Sequence, residues 1–530
     1  MKSLQSKLLL LLVLNISCER NSGQNKFGQI DSTAAAANSI AGNFSNQQKI
    51  KFDSVKLTDF MVKYPQLISF KKELDSFYFN RQYAYAWFDD KGLIEQAANL
   101  YNHTQNIISE GLKNKLPYQT EFALMMGDDD ADSINVNTEI MLTAQYFVYA
   151  KNVWTGLSEK EIHNNNWYIP RKKLSYTTLL DSLLNGKDVL NSPPIYRQYL
   201  LLKNQLKKYK DIKQAGGFGI IEDVKKSLKK GDSSAIVTAI KKWLFISEDL
   251  RISDTSSIFN DNLEAAVKKL QQRIGLAIDG VIRKALINEM NVPIEKRMQQ
   301  IMVNMERSRW VPVSVATDYL VVNVPEFKLH AYEKDNLLWS MDAVVGKPIH
   351  NTVIFSGKIK YVVFSPYWNV PPSILKNEIL PGIRRNKNYL ASHNMEWFNG
   401  QVRQKPGLEN SLGLVKFLFP NSYNIYLHDT PSKSLFNQSS RAFSHGCIRL
   451  SDAEKLANYL LKNDTAWTSE KIYTAMHLGK EEFVTLKKSE TVFIVYFTAW
   501  VDSQGQLNFR KDLYNRDTRL AEMLFENEFH

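Results

Sequence analysis

The hydrophobic pattern of this chain changes its period near residue 318, and one core cannot accommodate both patterns. Upstream, segments such as 94–112 and 140–157 carry apolar side chains at helical spacing. Downstream, segments such as 319–333 and 491–501 alternate in a strand-like way and are rich in Val, Ile, Tyr and Phe. With 530 residues the chain is too long for a single core, so the sequence predicts a multidomain α+β protein.

Domain boundaries follow from composition and from the change of period. We expect a helical N-terminal scaffold, a small three-helix unit, a mostly-β domain with a capping insertion, and C-terminal strands and a helix packed on the β domain. The insertion is rich in Asn, Arg, Gly and Pro and is long for a loop, which is typical of lids. The predicted ranges are 1–18 for a signal, 19–49 for a flexible tether, 50–230, 231–293, 318–490 with the insertion at 372–420, and 491–530.

The N-terminus carries an export signal. Lys2 and Lys7 precede an apolar run at 8–14 that is too short to span a bilayer, and Ser17 stands directly before Cys18. This pattern resembles a bacterial lipoprotein signal, which implies that Cys18 is lipidated. We therefore expect an exported, periplasmic protein that is anchored to a membrane. The alternative is an ordinary signal peptide that is cut nearby.

The chain is basic, with 67 Lys and Arg against 55 Asp and Glu and a net charge of +12. A basic surface suits nucleic acid, an acidic membrane surface or an acidic polymer, although most such runs are simply solvated faces. Export disfavours nucleic acid as the partner. The composition, with 44% hydrophobic and 23% charged residues, is that of a globular protein with substantial cores.

The small helical unit has a recognisable pattern in "LQQRIGLAIDGVIRKALINEMN" at 270–291. A helix is predicted to end at Gly275, and a second short helix follows the turn at 277–280. The pattern resembles the three-helix peptidoglycan-binding module. Residues 283–285 stand where that family has Gly and Thr, so glycan binding and a purely structural role both stay open.

Cys447 is one of only two cysteines in the chain. If Cys18 is lipidated or removed, Cys447 has no disulfide partner. Exported proteins usually pair their thiols, so a lone thiol indicates chemistry. The plain alternative is a buried, inert cysteine.

A strand-like run at 424–430 supplies a candidate base for this thiol. Alternate side chains of a strand share a face, so Tyr426 and His428 point to a cleft if Ile425 and Leu427 face the core. The chain then returns to Cys447, and we expect the thiol to lie beside His428.

The surroundings of Cys447 are predicted to activate it. A free cysteine has a pKa of ~8.5, so it needs an adjacent base, and we expect His428 to take its proton and leave an ion pair. Ser451 and Glu454 predict a capping box, whose helix would turn its positive end toward the thiol. Gly446 permits a tight turn, in which its N–H and that of Cys447 would point at an oxyanion.

These residues resemble a known enzyme signature. His428, followed after a loop by "SHGCIRL" at 444–450, is similar to the signature of the L,D-transpeptidases with a YkuD-type catalytic domain. Other segments, such as "PYWNVPPSI" at 366–374 and "IYLHDTPSKSLF" at 425–436, resemble the large YcbB-like type. That type combines a helical scaffold, a peptidoglycan-binding module and a catalytic domain with a capping subdomain.

The resemblance implies a cofactor-free enzyme of cell wall biogenesis. Cys447 would attack the L-to-D bond of a peptidoglycan stem tetrapeptide with His428 as base, release D-alanine, and pass the acyl group to an amine of a neighbouring stem in a 3→3 cross-link. Carbapenem-type β-lactams would acylate Cys447. The remaining implied positions are His445, Gly446 and Tyr426 in the catalytic site, and Arg449, Asp429, Trp368 and Asn369 for substrate binding.

Several alternatives stay open. Arg449 either holds a substrate carboxylate or ties its loop to the domain. In smaller members of that family the residue after the base acts largely through its backbone carbonyl, so the role of the Asp429 carboxylate stays open. The same catalytic residues would serve an L,D-carboxypeptidase that uses water as acceptor. A lipid-anchored wall-binding protein with an idle catalytic domain is a further possibility, and a zinc site of Cys447, His428 and His445 lacks a convincing fourth ligand.

Overall fold

The computed structural model describes residues 50–112, 115–127, 133–313, 315 and 317–525. The predicted signal at 1–18 with Cys18, the tether at 19–49 and the last residues, 526–530, lie outside this part. Within the described ranges, no helix is both long enough and apolar enough to cross a membrane.

Helices dominate the first part of the chain and strands the second. The α-helices are α1 (Val55–Lys63), α2 (Lys71–Asn80), α3 (Glu95–Gln105), α4 (Gln119–Gly127), α5 (Val136–Tyr149), α6 (Glu159–Asn164), α7 (Tyr176–Leu184), α8 (Gln198–Gln214), α9 (Ala235–Ile246), α10 (Asp261–Ile274), α11 (Lys284–Met290), α12 (Ile294–Arg309), α13 (Pro372–Ile374), α14 (Leu380–Arg385), α15 (Tyr389–Ser392), α16 (Ala453–Leu461), α17 (Ser469–His477) and α18 (Arg516–Phe525). The strands are β1 (Phe88–Asp89), β2 (Gly92–Leu93), β3 (Trp167–Tyr168), β4 (Tyr319–Asn323), β5 (Lys328–Glu333), β6 (Asn336–Gly346), β7 (Ile354–Phe364), β8 (Trp368–Asn369), β9 (Met395–Phe398), β10 (Gln401–Gln404), β11 (Val415–Leu418), β12 (Leu427–His428), β13 (Ala442–Ser444), β14 (Ile448–Leu450), β15 (Glu482–Val495), β16 (Ala499–Val501) and β17 (Leu507–Phe509). The predicted multidomain α+β class is confirmed.

The helical domain packs around α5, which is buried on nearly all sides. Its one buried carboxylate, Glu139, accepts hydrogen bonds from the N–H groups of Ala86 and Trp87 and from the Tyr78 hydroxyl, at 2.8–3.0 Å. Satisfying every acceptor in this way offsets the cost of burying a polar group. The core contains Trp87 and Trp154.

The three-helix unit has a hydrophobic core of its own, built by α9, α10 and α11. Helix α10 ends as predicted at Gly275, whose φ of 71° is the left-handed conformation that glycine adopts without strain. Arg273 fixes the unit to its neighbours, because it pairs with Asp249 and also donates to the carbonyl of Leu507 at 2.6 Å.

The β domain is a closed sheet. Its strand order is β11-β12-β14-β6-β5-β4-β15-β7, and β11 also pairs with β7, so the ladder returns to its start. Side chains of alternate residues on these strands fill the interior. Strand β3, which belongs to the helical part of the chain, adds to β7 in parallel through the register Trp167↔Ile354 and Tyr168↔Phe355.

The C-terminal segment departs from the prediction. We expected all of 491–530 to pack on the catalytic domain, but the hairpin β16–β17 places Ala499, Val501, Leu507 and Phe509 in the core of the helical domain. The rest of the segment does contribute to the core of the β domain, through residues 492–497 at the end of β15 and just after it, and through Leu520 and Ala521 of α18. The apolar alternation of the hairpin predicts a buried face but cannot say which domain buries it.

The capping insertion is a small subdomain rather than a loop. Strands β8, β10 and β9 form a three-stranded sheet, and a separate core contains Val370, Ile379, Met395 and Val402. Strand β11 falls inside the predicted range 372–420, but it is a strand of the closed sheet and pairs with both β7 and β12. The subdomain therefore begins with β8 and ends before β11.

Candidate active site

Cys447 lies in a tight loop between β13 and β14. The loop is held by Ser444, whose hydroxyl donates to the Cys447 carbonyl at 2.6 Å and accepts from the Gly446 N–H at 3.1 Å. Thr352 donates to the Gly446 carbonyl at 2.9 Å from the other side. Gly446 has a φ of 115°, which an L side chain rarely adopts, so only glycine fits this turn without strain.

Two predicted sources of activation are wrong. Helix α16 begins after Asp452, whose carboxylate accepts from the Lys455 N–H, so Ser451 does not cap it. Strand β14 separates Cys447 from that helix, by about 10 Å at ~3.3 Å per residue, so the helix terminus is too distant to stabilise a thiolate. The Gly446 N–H is already bonded to Ser444 and is not available to an oxyanion.

The neighbours of the thiol come from β12 and from the residues just before it. Strand β12 runs parallel to β14 with His428 opposite Arg449. The Cys447 Sγ lies 3.5 Å from the carbonyl oxygen of Asn424, and the Tyr426 hydroxyl hydrogen-bonds to the sulfur. The Tyr426 and His428 rings lie 5.7 Å apart on the same face, as the alternation predicts, while Ile425 and Leu427 are buried in the core.

The imidazole of His428 is oriented by backbone carbonyls, that of Asp429 and also that of Leu412. Its Nδ1 lies 2.5 Å from the carbonyl oxygen of Asp429, so in the neutral ring Nδ1–H donates and Nε2 keeps its lone pair. The Asp429 carboxylate is engaged elsewhere: it accepts from the Leu414 N–H at 2.9 Å and from Lys433 Nζ at 2.6 Å. The structure thus leaves Asp429 no carboxylate oxygen directed at a substrate, and its contact with His428 is through the backbone.

The pKa shifts of Cys447 and His428 both favour the uncharged form of these two side chains. Burial, with a smaller contribution from the Arg449 cation, lowers the pKa of His428 to about 3. Burial raises the pKa of the Cys447 thiol, although Tyr426 and Arg449 act in the opposite direction. Both shifts disfavour a thiolate–imidazolium pair, so the ion pair expected from the sequence is not the resting state. No hydrogen bond joins Sγ to the His428 ring in the described part of the chain.

Arg449 is a half-buried cation without a protein partner. Its Nε is buried and unpaired, and within the described residues its guanidinium forms no hydrogen bond or ion pair. Burial lowers its pKa, and the Cys447 sulfur is its main electrostatic neighbour. Of the two predicted roles, tying the loop to the domain has no contact to support it.

His445 connects the loop of Cys447, between β13 and β14, to the insertion. Its Nε2 lies 3.3 Å from a carboxylate oxygen of Glu378, on the helical turn that follows α13, and its ring lies 5.0 Å from that of His350. Trp368 and Asn369 are in β8, paired with β10, so they belong to the sheet of the insertion. Their assignment to substrate binding stays a prediction.

The described side chains around Cys447 do not form a metal-binding group. Across the described ranges, His, Cys, Asp and Glu side chains form no group of three that could hold a metal ion. Of the three residues considered for zinc, His428 is bonded to Asp429 and His445 to Glu378.

Sequence reasoning missed the residues that surround the thiol from outside the motif. Asn424 and Glu378 both contact the loop of Cys447, and neither lies in a recognised pattern. Asn424 has a φ of 55°, and asparagine before a strand is a known candidate for that conformation, but nothing in the sequence connects it to Cys447.

Comparison with known families decides the class of this site. Residues 317–472 match the model of the L,D-transpeptidase catalytic domain, a range that contains both His428 and Cys447. The chain carries a YkuD-type L,D-transpeptidase domain. Residues 72–206 match the model of a Scaffold domain, within the predicted helical range.

One curated relative and several solved structures resemble parts of this chain. A Haemophilus influenzae protein named "Putative L,D-transpeptidase" is 31% identical over 246 residues, or 42% of this chain and 49% of that protein. This chain thus spans about half the length of its curated relative. A solved L,D-transpeptidase from Stackebrandtia nassauensis also matches, with 14% identity, coverage of 51% of this chain and 94% of the other, and a TM-score of 0.23. A solved L,D-transpeptidase from Mycobacterium smegmatis matches with 14% identity, coverage of 35% of this chain and 60% of the other, and a TM-score of 0.20. At these scores, the structural matches add nothing to the family assignment.

Proposed function

We propose that the protein is a peptidoglycan L,D-transpeptidase that forms 3→3 cross-links with Cys447 as its nucleophile. The observation that carries the proposal is the neutral His428, whose Nδ1 is fixed on the Asp429 carbonyl, on the same face as the lone thiol. A histidine held in this tautomer can accept one proton at Nε2, which is what a thiol nucleophile requires.

Acylation begins with the movement of Sγ away from the Asn424 carbonyl. The thiol passes its proton to Nε2 of His428 as the S–C bond forms at the carbonyl of the L-configured centre. The C–N bond to D-alanine then breaks, and the imidazolium returns the proton to the leaving amine. A thioester on Cys447 and free D-alanine result. Because Cys447 and His428 both start uncharged, charge separation between them occurs only during the reaction.

Deacylation repeats these steps with an acceptor amine. The amine of a neighbouring stem attacks the thioester, His428 takes its proton, and the proton returns to Cys447 as the C–S bond breaks. The product is an amide, and the thiol is restored. In an L,D-carboxypeptidase, water would take the place of the amine.

Arg449 suits a substrate carboxylate. Stem peptides carry free carboxylates, and a guanidinium that has no internal partner can bind one with two parallel hydrogen bonds. We infer that Arg449 anchors the donor beside Cys447. Its cation would also stabilise the negative sulfur that develops during attack.

Substrate entry is controlled by the capping subdomain in this proposal. Glu378 contacts His445 directly, so the subdomain lies over the loop of Cys447. An enclosed thioester is protected from water, which favours transfer to an amine over hydrolysis. Arg384 and Arg385 are exposed and have no partner in the described residues, whereas Arg403 is committed to Glu396 at 2.7 Å.

The deciding experiment uses a purified stem tetrapeptide as donor and acceptor. Mass spectrometry should detect a cross-linked dimer and free D-alanine, and both should disappear with Cys447→Ala. Tripeptide without dimer would identify an L,D-carboxypeptidase, and no product at all would favour an idle wall-binding protein. Export, a lipid anchor on Cys18 and binding of glycan by residues 231–293 also belong to this proposal, and labelling with a fatty acid would test the anchor.

A further inference from the structure

The helical domain reaches the catalytic cysteine through a chain of aromatic contacts. Strand β3 is fixed in the interior by Trp167, whose ring lies 5.4 Å from Trp310. The next residue, Tyr168, points to the opposite face of the strand and stacks on Tyr423 at 5.6 Å with an interplanar angle of 30°. The second neighbour of Tyr423 is Phe355 on β7, at 4.9 Å. Tyr423 is thus held by rings from both domains.

The segment that contains Tyr423 has little freedom. The side-chain amide of Asn421 donates to the carbonyls of Phe419 and Ile425, at 2.6 and 2.8 Å, and accepts from the N–H groups of Tyr423 and Ile425, at 2.9 and 3.2 Å. One side chain therefore makes four bonds across the turn at 419–425, which we call the Tyr423 turn. Asn424 within it keeps a left-handed φ of 55°.

This turn presents a carbonyl to the nucleophile. The Asn424 oxygen lies 3.5 Å from Cys447 Sγ, and a carbonyl can accept a bond only from the protonated thiol. A thiolate at the same place would face the negative end of the carbonyl dipole. The contact therefore stabilises S–H over S⁻.

We propose that Tyr168 is a positioning residue, which holds the Tyr423 turn so that the Asn424 carbonyl keeps the Cys447 thiol protonated until substrate displaces it. The helical domain then controls the reactivity of a cysteine that it does not touch. An exported thiol without a disulfide partner gains protection from oxidants by this means, because the thiolate is the reactive form. The inference rests on Cys447 being the nucleophile of the proposed function.

The charged or titratable groups around the thiol do not change when Tyr168 is replaced. Tyr426, just before β12, and Arg449 on β14 act on the sulfur directly, and His428 on β12 and His445 in the loop of Cys447 are the nearby histidines. The Tyr423 turn contributes no charged side chain. A fall in the pKa of the thiol after substitution of Tyr168 would therefore report the Asn424 carbonyl, because loss of the Tyr426 backbone contact, which lowers the pKa of Cys447, would raise it.

The test measures alkylation of the full chain by iodoacetamide as a function of pH. Iodoacetamide is small and uncharged, and the measurement needs no peptidoglycan, so it stays informative even if cross-linking is not found. Tyr168→Ala should lower the pH of half-maximal alkylation by about half a unit, since one S–H···O bond is worth only a fraction of a pKa unit to about one. Alkylation at pH 7 should then be about three-fold faster than in the wild type.

Three further variants separate positioning from general damage. Tyr168→Phe keeps the ring and loses only the exposed hydroxyl, which bonds to Asn166, so it should behave as the wild type. His163→Ala removes the other ring beside Tyr168, at 5.5 Å, and should also leave the midpoint unchanged. Tyr168→Leu keeps apolar volume without a stacking ring and should shift the midpoint as alanine does. An unchanged or raised midpoint in folded Tyr168→Ala and Tyr168→Leu, or an equal shift in Tyr168→Phe, would overturn the proposal.

Discussion

Replacing Arg449 by glutamine tests how the donor peptide is recognised. The guanidinium has no hydrogen bond or ion pair within the described residues, so its loss should change the free energy of unfolding by less than about 0.5 kcal/mol. Hydrogen bonds between charged groups contribute about 1.5–3 kcal/mol, so losing a carboxylate contact should lower kcat/KM for the tetrapeptide by about 10- to 100-fold. Arg449→Lys keeps the charge but not the fork of donors and should lie between the two.

An electrostatic effect on the thiol must be separated from this loss of binding. Arg449 acts to lower the pKa of Cys447, so Arg449→Gln should also raise the pH midpoint of alkylation by iodoacetamide. We expect the fall in kcat/KM, measured by D-alanine release, to exceed the fall in alkylation rate at the same pH by at least about five-fold. A ratio of that size is consistent with the free energy of one hydrogen bond between charged groups. Equal losses in the two assays would refute carboxylate binding, and a large drop in melting temperature would instead favour the tie between loop and domain.

Three other predictions concern the nucleophile, the base and the capping subdomain. Cys447→Ser should retain the fold and lose D-alanine release, because a hydroxyl is a far poorer nucleophile beside this histidine, and a carbapenem should give a single adduct by intact-protein mass spectrometry that is absent from Cys447→Ala. Because the pKa of His428 falls from 6.5 to about 3 on folding, the unfolded chain binds the extra proton between these values. The wild type should therefore lose unfolding free energy relative to His428→Gln as the pH falls below about 6.5. A difference in unfolding free energy between the two proteins that is the same at pH 7 and pH 5, measured by chemical denaturation, would contradict the buried neutral imidazole. Replacing 372–410 by a Gly/Ser linker should spare acylation by a small β-lactam and raise tripeptide relative to dimer, whereas an unchanged product ratio would argue against a lid.

The proposal of Cys447 as nucleophile follows from local chemistry and needs no structure. A thiol that has no disulfide partner if Cys18 is lipidated or removed, a motif around it, and a strand in which Tyr426 and His428 alternate with apolar residues are all visible in the sequence. In the structure Tyr426 and His428 lie on one face and Ile425 and Leu427 on the other, as predicted, because a strand has a side-chain period of two. The class of fold is predictable for the same reason, since helical and strand periods differ along the chain.

The sequence-based predictions were wrong where more than one residue could cap a helix, or where more than one domain could bury a strand. Ser451 and Asp452 are both good helix caps, and the structure uses Asp452. Strand β11 and the hairpin β16–β17 are readable as strands, but each packs in a different place from the one predicted. A hydrophobic alternation specifies that a face is buried, and many partners of similar shape can bury it.

The sequence alone determined the period of each segment, the lone thiol and the histidine that can serve it, because these depend on residue type and spacing over a few positions. Tertiary structure alone decided that burial favours the uncharged forms of Cys447 and His428, that Arg449 has no hydrogen bond or ion pair among the described residues, and that the Asn424 carbonyl meets the sulfur. Each of these depends on burial or on contacts between residues that are distant in the chain. Burial shifts ionisation through the loss of water, and no property of a short segment records how much water its neighbours will exclude.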